Sequence, residues 1–491
     1  MNAYIGIDLG TSGVKLLFVD AKGTILAENT QNYPVSYPEA GWSEQSPELW
    51  LKAVKIGVKE LLKGGDRSAV KGISFGGQMH GLVILDKNDE VIRPCILWND
   101  GRTERETAYL NDVVGKENLF KYTGNIAFAG FTAPKILWLK QNEPENFEKI
   151  AKIMLPKDYL AYMFTGEFCT DYSDASGTLL LDVENRKWSR QMCDICGICE
   201  GQLPKLCESF SPVGVIKEAV AKDLGLPKNT VVAIGAGDNA AAAVGTGATG
   251  GGKANISLGT SGTLFVSSQK CIKDNSYALH SFCHADGGWH LLGCILSAAS
   301  CNSWWMSLIG ADDYDAEQKG LELLLGENDV YFLPYLTGER CPHNDVNARG
   351  CFIGLNINTT RAQMTLAVLE GVAFAIRDCL ERAKSCGVSV ERATLCGGGA
   401  KSPLWRKIMA DVTGIPIDIP QTEQGPAYGA AMLAMVCCGE YPDAQSAADN
   451  LIKIKETIYP DKTISQKYKK KYQNFRAMYP ALKDVFKNHI Q

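Results

Sequence analysis

Runs in which apolar residues crowd out polar ones mark the strands of this chain, and three come at once. Ala3 to Leu9, Val14 to Asp20 and Thr24 to Asn29 read as a meander, joined by GTSG and by Ala21, Lys22 and Gly23. A helix follows: Ser46 stands at its N-cap, Pro47 in its first turn, and Trp50, Val54, Val58 and Leu61 recur at helical spacing. "VKGISFGGQ" and "GLVILD" return to strand, and further helices are expected over Thr103 to Asn111 and Ala133 to Gln141. The first half closes on "TVVAIGAGDNAAAAVGTGATGGGK", a buried strand, a turn at Gly235 to Gly237 and a small-residue helix running into glycines. The second half restarts with strand, turn and strand in "ANISLGTSGTLFVSS". It continues through an amphipathic helix in "RAQMTLAVLEGVAFAIRDCLERAKS" and then "RATLCGGGAKSPLW", a strand running through glycines into a helix.

The pentapeptide LGTSG thus stands at both 9–13 and 258–262, each time between apolar runs. Gly10, Gly13, Gly259 and Gly262 are expected to take positive φ and leave N–H groups uncovered, while the Thr and Ser hydroxyls add donors, a shape suited to phosphate oxygens. A hairpin that merely needs glycine is the alternative for one copy. Two copies heading the two halves favour phosphate. "LCGGGAKS" offers a third glycine turn and a helix N-terminus, yet the chain has neither a GxGxxG fingerprint nor a GxxxxGK[ST] loop at these places, so a dinucleotide site and a P-loop are both disfavoured.

Bulk properties narrow the class. The chain has 491 residues, 45% of them hydrophobic, enough for two or three domains with large cores. A formal charge of −5 gives no footprint for nucleic acid or an anionic membrane surface, and no signal-like or membrane-spanning run is present. A cytoplasmic protein is expected. Its 17 cysteines are an odd number, scattered, and read as reduced thiols. Cys193, Cys196, Cys199 and Cys207 have a spacing that suits zinc or an iron–sulfur cluster, but a helix there would splay the thiols, so no such metal is expected.

Several residues interrupt the apolar pattern where chemistry is expected. Asp238 follows Gly235 and Gly237 at a strand end and suits a general base; an N-cap for the alanine-rich helix is its structural alternative. Asp8 ends the first strand beside the first LGTSG turn and suits Mg²⁺ held through water, unless it simply bonds the turn's amides. Met79 and His80 suit packing against a sugar and bonding its hydroxyls, although a lone His is more often structural. Trp98, Asn99 and Asp100 are further candidates, with an Asp100–Arg102 ion pair as the plain alternative.

The paired "IGIDLGTSGVK" and "NISLGTSGT" loops with "LCGGGAKSPLW" resemble the phosphate and adenosine loops of the sugar-kinase, heat-shock-chaperone and actin superfamily. Within it, "GFTAPKILWLKQN" and "GCFIGLNINTTRAQMTLAVLEGVAF" resemble the two signatures of the FGGY carbohydrate kinases, with likeness running from residue 3 to about 435. "GGQMHGLVILD", "ILWNDGRT", "GAGDNAAAAVG" and "YLTGERCPHND" are similar to the branch that phosphorylates D-xylulose; the family's glycerol kinases differ at Gln78 to Gly81.

The resemblance implies an α/β fold of two duplicated actin-like (ribonuclease H-like) domains, 1–250 and 251–491, with ATP and sugar in the cleft between them. It implies Asp238 as catalytic base, Asp8 in a metal-linked catalytic role with Mg²⁺, and sugar contacts from Met79, His80, Trp98, Asn99, Asp100, Asp238 and Asn239. ATP would meet Thr11, Ser12, Gly13, Lys15, Gly259, Thr260, Ser261, Gly398, Gly399 and Ser402. The acceptor would be D-xylulose or a related pentulose, and family habit suggests a homodimer. Two alternatives stay open: an FGGY kinase for another ketose, a polyol or an aldonate, and an ATP-gated chaperone or filament subunit on the same fold.

Overall fold

A computed structural model describes residues 2–422 and 424–489. Two seven-stranded mixed sheets organise it. In the first, the order across the sheet is Pro212–Val215, Val231–Ala233, Val70–Gly77, Ala3–Leu9, Gly13–Asp20 and Ile25–Asn32, with the short strand Ala236–Gly237 also pairing with Val70–Gly77. The second runs His280–Cys283, Trp289–Ile295, Gly262–Ser268, Lys253–Leu258, Arg392–Cys396, Ile417–Pro420 and Ile454–Ile458. Each sheet opens with an antiparallel hairpin around an LGTSG turn and adds parallel strands beyond it.

The expected meander and the helix Pro47–Leu61 are present, the helix burying Trp50, Val54, Val58 and Leu61. The helix expected from Thr103 begins as Glu104–Ala108 and widens into a π-helical stretch over Tyr109–Gly115. The helix Arg361–Ser385 is less amphipathic than its sequence suggests. Residues 365–376 are all buried, because sheet, neighbouring helices and the C-terminal helix surround it.

Sequence position alone does not separate the two halves. The helix Gly425–Cys437 packs against the first sheet and crosses the helix Asp238–Gly245 at close range. Glycine permits that crossing: a Cβ on Gly429 would stand 1.8 Å from the Ala241 carbonyl oxygen, and one on Gly245 would stand 2.4 Å from that of Gly425. Among the described residues no helix is long and apolar enough to cross a membrane.

Candidate active site

Parallel strands of the first sheet run out at one edge. Leu9 pairs with Gly77 and Gly77 with Gly237, so the residues beside or just after these strand ends, Asp8, Gln78 and Asp238, gather there. Asp8 is half-buried, and its carboxylate has no hydrogen-bond or ion-pair partner among the described residues. It does not bond the turn's amides; the Gly10 N–H turns instead to the Gly13 carbonyl at 3.0 Å. Burial and the negative charge of Asp238 raise its pKa to about 7, against the pull of Lys15.

Asp238 is the first residue of its helix, with Gly237 at the N-cap, so the N-cap alternative does not hold. Its Oδ1 accepts the Asn239 N–H at 2.7 Å and the Asn239 side-chain amide at 3.0 Å, while Oδ2 remains free. Burial raises its pKa to about 6, opposed by those two bonds. One carboxylate is therefore oriented through one oxygen and open at the other.

Met79 lies under the same turn: a Cβ on Gly237 would stand 3.0 Å from its Cγ. His80 holds a left-handed φ of 70°, its carbonyl accepting from Thr132 Oγ1 at 3.1 Å and Lys135 Nζ at 2.9 Å. Its Nδ1 lies 2.7 Å from the Gly177 carbonyl, and its ring stacks on Phe131 at 4.7 Å. Burial, with Lys135 and Arg340 adding positive charge, lowers the His80 pKa to about 3. The ring is thus neutral, Nδ1–H donates to Gly177, and Nε2 is an acceptor for a hydroxyl proton.

Trp98 and Asn99 are exposed, and the Trp98 indole donates to Thr11 Oγ1 at 3.0 Å. Asp100 behaves differently from its neighbours. Its two oxygens take the Ser43 N–H at 2.6 Å, the Arg102 N–H and Nε at 2.9 Å, and Arg102 Nη2 at 2.7 Å. All four lone-pair positions are occupied, so Asp100 braces the Trp98–Arg102 loop and has none left for a substrate hydroxyl.

On the nucleotide side, the expected positive φ is absent from Gly10, Gly13, Gly259 and Gly262. At two of the four, glycine is needed for close approach: a Cβ would meet the Gln31 carbonyl oxygen at 2.8 Å from Gly13 and Ile295 Cγ1 at 2.8 Å from Gly262. Ser12, Thr260 and Ser261 are exposed, and Lys15 makes a loose pair with Glu28 at 3.9 Å. The third turn does bend left-handed, at Gly397 with φ 90°. Gly398 has open space where a Cβ would stand, whereas Gly399 is packed against Leu258 and Trp405. Ser402 is the N-cap of Pro403–Thr413, its Oγ accepting the Trp405 N–H at 3.1 Å and donating to Gln318, so its hydroxyl is committed to the protein.

Sequence reasoning missed the residues that brace these groups. Gln45 and Gln78 tie the first turn to Trp50, and Phe128, Phe131 and His280 form an aromatic wall behind His80. Arg340, from "YLTGERCPHND", lies 4.8 Å from the Phe128 ring centroid. A charged residue in a turn motif was its only signal. Cys193 and Cys196 point into the core from the helix Arg190–Cys196, Cys199 is exposed, and Cys207 sits on a strand beside Cys169. Among the described residues no group of three or more His, Cys, Asp or Glu side chains is arranged to hold a metal.

Comparison with known proteins places this geometry in context. Residues 3–245 match the N-terminal domain of the FGGY family of carbohydrate kinases, and residues 254–438 match its C-terminal domain. A xylulose kinase of Escherichia coli (strain K12) is 41% identical over 485 residues, spanning 98% of this chain and 99% of that one. A solved xyloylose kinase from Brucella ovis superposes with a TM-score of 0.94 at 42% identity, covering 99% of this chain and 100% of the other. A gluconate kinase from Lactobacillus acidophilus superposes with a TM-score of 0.93 at 26% identity, covering 98% of each.

Proposed function

We propose that this chain, which belongs to the FGGY family of carbohydrate kinases, transfers the γ-phosphoryl group of ATP to D-xylulose and releases D-xylulose 5-phosphate. The observation that carries the reading is Asp238: a half-buried carboxylate held through one oxygen, open at the other, with its pKa raised to about 6 beside Met79 and the first turn. Such a group is ionised at neutral pH and still basic enough to take a hydroxyl proton as the phosphorus–oxygen bond forms.

The sugar would lie over Met79 with a hydroxyl donating to Nε2 of His80 and another within reach of Asn239. Its terminal hydroxyl would give its proton to the free Oδ2 of Asp238, while the β- and γ-phosphates lie against Gly13, Lys15 and the exposed hydroxyls of Ser12, Thr260 and Ser261. The unpartnered Asp8 carboxylate suits a hard, hydrated cation, and Mg²⁺ held there through water would neutralise charge on the transferring group. We further propose the division at about residue 250, a cytoplasmic location and a homodimer. The chaperone or filament alternative is not retained, since residues 3–245 and 254–438 match the two domains of a carbohydrate-kinase family.

Because a gluconate kinase shares the fold, the acceptor must be tested directly. ATP consumption is measured with D-xylulose, D-ribulose, gluconate, glycerol or no acceptor. The reading requires the highest kcat/KM with D-xylulose; a higher value with gluconate or glycerol would overturn the acceptor and leave the kinase.

A further inference from the structure

Behind Asp238 lies a buried charged cluster that the reaction itself does not use. Lys157, Asp158, Asp171 and Asp174 all have fully buried side chains, and Lys157 Nζ stands 2.7 Å from Asp158, 2.9 Å from Asp171 and 3.6 Å from Asp174. One ammonium among three carboxyls is an expensive arrangement in a protein interior. Burial opposes the charge on Lys157, but the three acids outweigh it and hold its pKa above the ordinary range. Asp174, with no hydrogen bond to either oxygen, has its pKa raised by burial and by its acidic neighbours, Asp238 among them.

Asp171 is where this cluster meets the active site. Its Oδ1 faces Lys157, while Oδ2 accepts the Ser173 N–H at 2.8 Å, the Ser173 hydroxyl, and the Ser209 hydroxyl at 2.7 Å. Each of those serines grips one glycine of the turn that presents Asp238. The Gly237 N–H donates to Ser173 Oγ at 3.2 Å, and the Gly235 N–H donates to the Ser209 carbonyl at 3.0 Å. With its only hydroxyl proton given to Asp171, Ser173 can meet Gly237 only as an acceptor, and the negative charge behind it strengthens that bond.

We propose that Ser173 is a positioning residue for the general base, held in its accepting orientation by Asp171 and Lys157 so that the Gly235–Gly237 turn aims Asp238 at the acceptor hydroxyl. The proposal rests on Asp238 being that base. Ser173 touches no substrate, so its effect passes through Asp238 alone.

A double-mutant cycle tests this. Ser173→Ala should lower kcat about five- to tenfold with little change in the KM for ATP, which is the loss of roughly one hydrogen bond's worth of alignment. In an Asp238→Asn background the same change should cost nothing further, since the group it aims is gone. An equal fold-loss in both backgrounds would overturn the positioning role and show that Ser173 supports structure only. Near-normal turnover of Asp238→Asn alone would instead remove the base, and the proposal with it. Should Ser173→Ala fail to fold, Ser209→Ala enters the same cycle. It keeps the backbone bond to Gly235 while removing one donor from Asp171, and it should cost about two- to threefold in the parent and nothing in Asp238→Asn.

Discussion

The two LGTSG turns have the same five letters and different surroundings. At the first, Thr11 Oγ1 donates to Gln78 at 3.1 Å and accepts from the Trp98 indole, the Thr11 carbonyl takes the Gln45 amide at 2.7 Å, and the Gly10 carbonyl takes the Tyr33 hydroxyl at 2.6 Å. At the second, Thr260 and Ser261 are exposed with no hydroxyl-donated bond among the described residues. There the carbonyls of Gly259 and Thr260 receive the amides of Ala299 and Ala298 at 2.8 and 2.9 Å. Even the hairpins differ by a residue, Leu9 pairing with Val14 but Leu258 with Gly262. Asp8 precedes the first turn where Ser257 precedes the second. Identical sequence therefore stands in two settings: a turn whose threonine is wired to Gln78 and Trp98, and a turn whose Thr260 and Ser261 hydroxyls are left exposed.

The largest effect expected lies on the acidic side of that contrast. Asp238→Asn keeps shape but cannot take a proton, so turnover should fall by roughly 10² to 10⁴ while binding of a non-hydrolysable ATP analogue persists. Loss of nucleotide binding in this variant would mean that Asp238 supports the nucleotide site and is not confined to the acceptor proton.

The turns themselves give the next effect. Thr260→Ala with Ser261→Ala should raise the KM for ATP about tenfold and leave that for the sugar unchanged, as expected for losing hydrogen bonds to a charged group. Thr11→Ala should instead raise the KM for the sugar about threefold, because it frees Gln78, the chain neighbour of Met79. Equal shifts in both constants from both turns would erase the distinction. Steady-state kinetics with each substrate varied in turn are sufficient.

Much of this contrast is invisible in the sequence. The strands, turns and Asp238 are legible because local pattern sets them: apolar runs, glycines at fixed places, a lone acid after a strand. The glycines were legible as glycines but not for their reason, since the crowding at Gly13 and Gly262 comes from strands that lie elsewhere in the chain. Ser402 enters as an ATP contact only through the family resemblance, and the bonds of its hydroxyl to the Trp405 amide and Gln318 need the folded chain to be seen. Lys157, Asp171, Ser173 and Ser209 were unreadable because each bond among the first, second and fourth spans a long stretch of chain and needs the folded sheet to form. The one hint was a Lys-Asp pair inside the apolar run "IMLPKDYLAYMF".

A smaller effect should appear in the pH profile. The base works ionised, so kcat/KM should fall as pH drops through about 6, the value to which burial raises Asp238. Asp8, whose pKa of about 7 lies above that of Asp238, is largely protonated while Asp238 ionises, so Asp8→Asn should leave the limb near pH 6. A limb left below pH 5 in the parent enzyme would show that the acidic side is far better solvated than its burial implies.

The smallest effect is on stability, and it separates the two turns without any substrate. Asp8 has a folded pKa of about 7, well above its ordinary value of 3.8, so the folded state binds its proton more tightly than the unfolded one. The stability this contributes is complete below about pH 4 and is lost as pH rises through 7. Asp8→Asn removes the titration, so in metal-free buffer the variant should melt a few degrees above the parent at pH 8, with the gap closing toward pH 4. Ser257→Ala, at the matching place before the second turn, carries no ionisable group and should show no such pH-dependent gap. If Asp8→Asn melted below the parent at pH 8, the carboxylate would have a stabilising partner, and the first turn would no longer be the side on which an uncompensated charge awaits its cation.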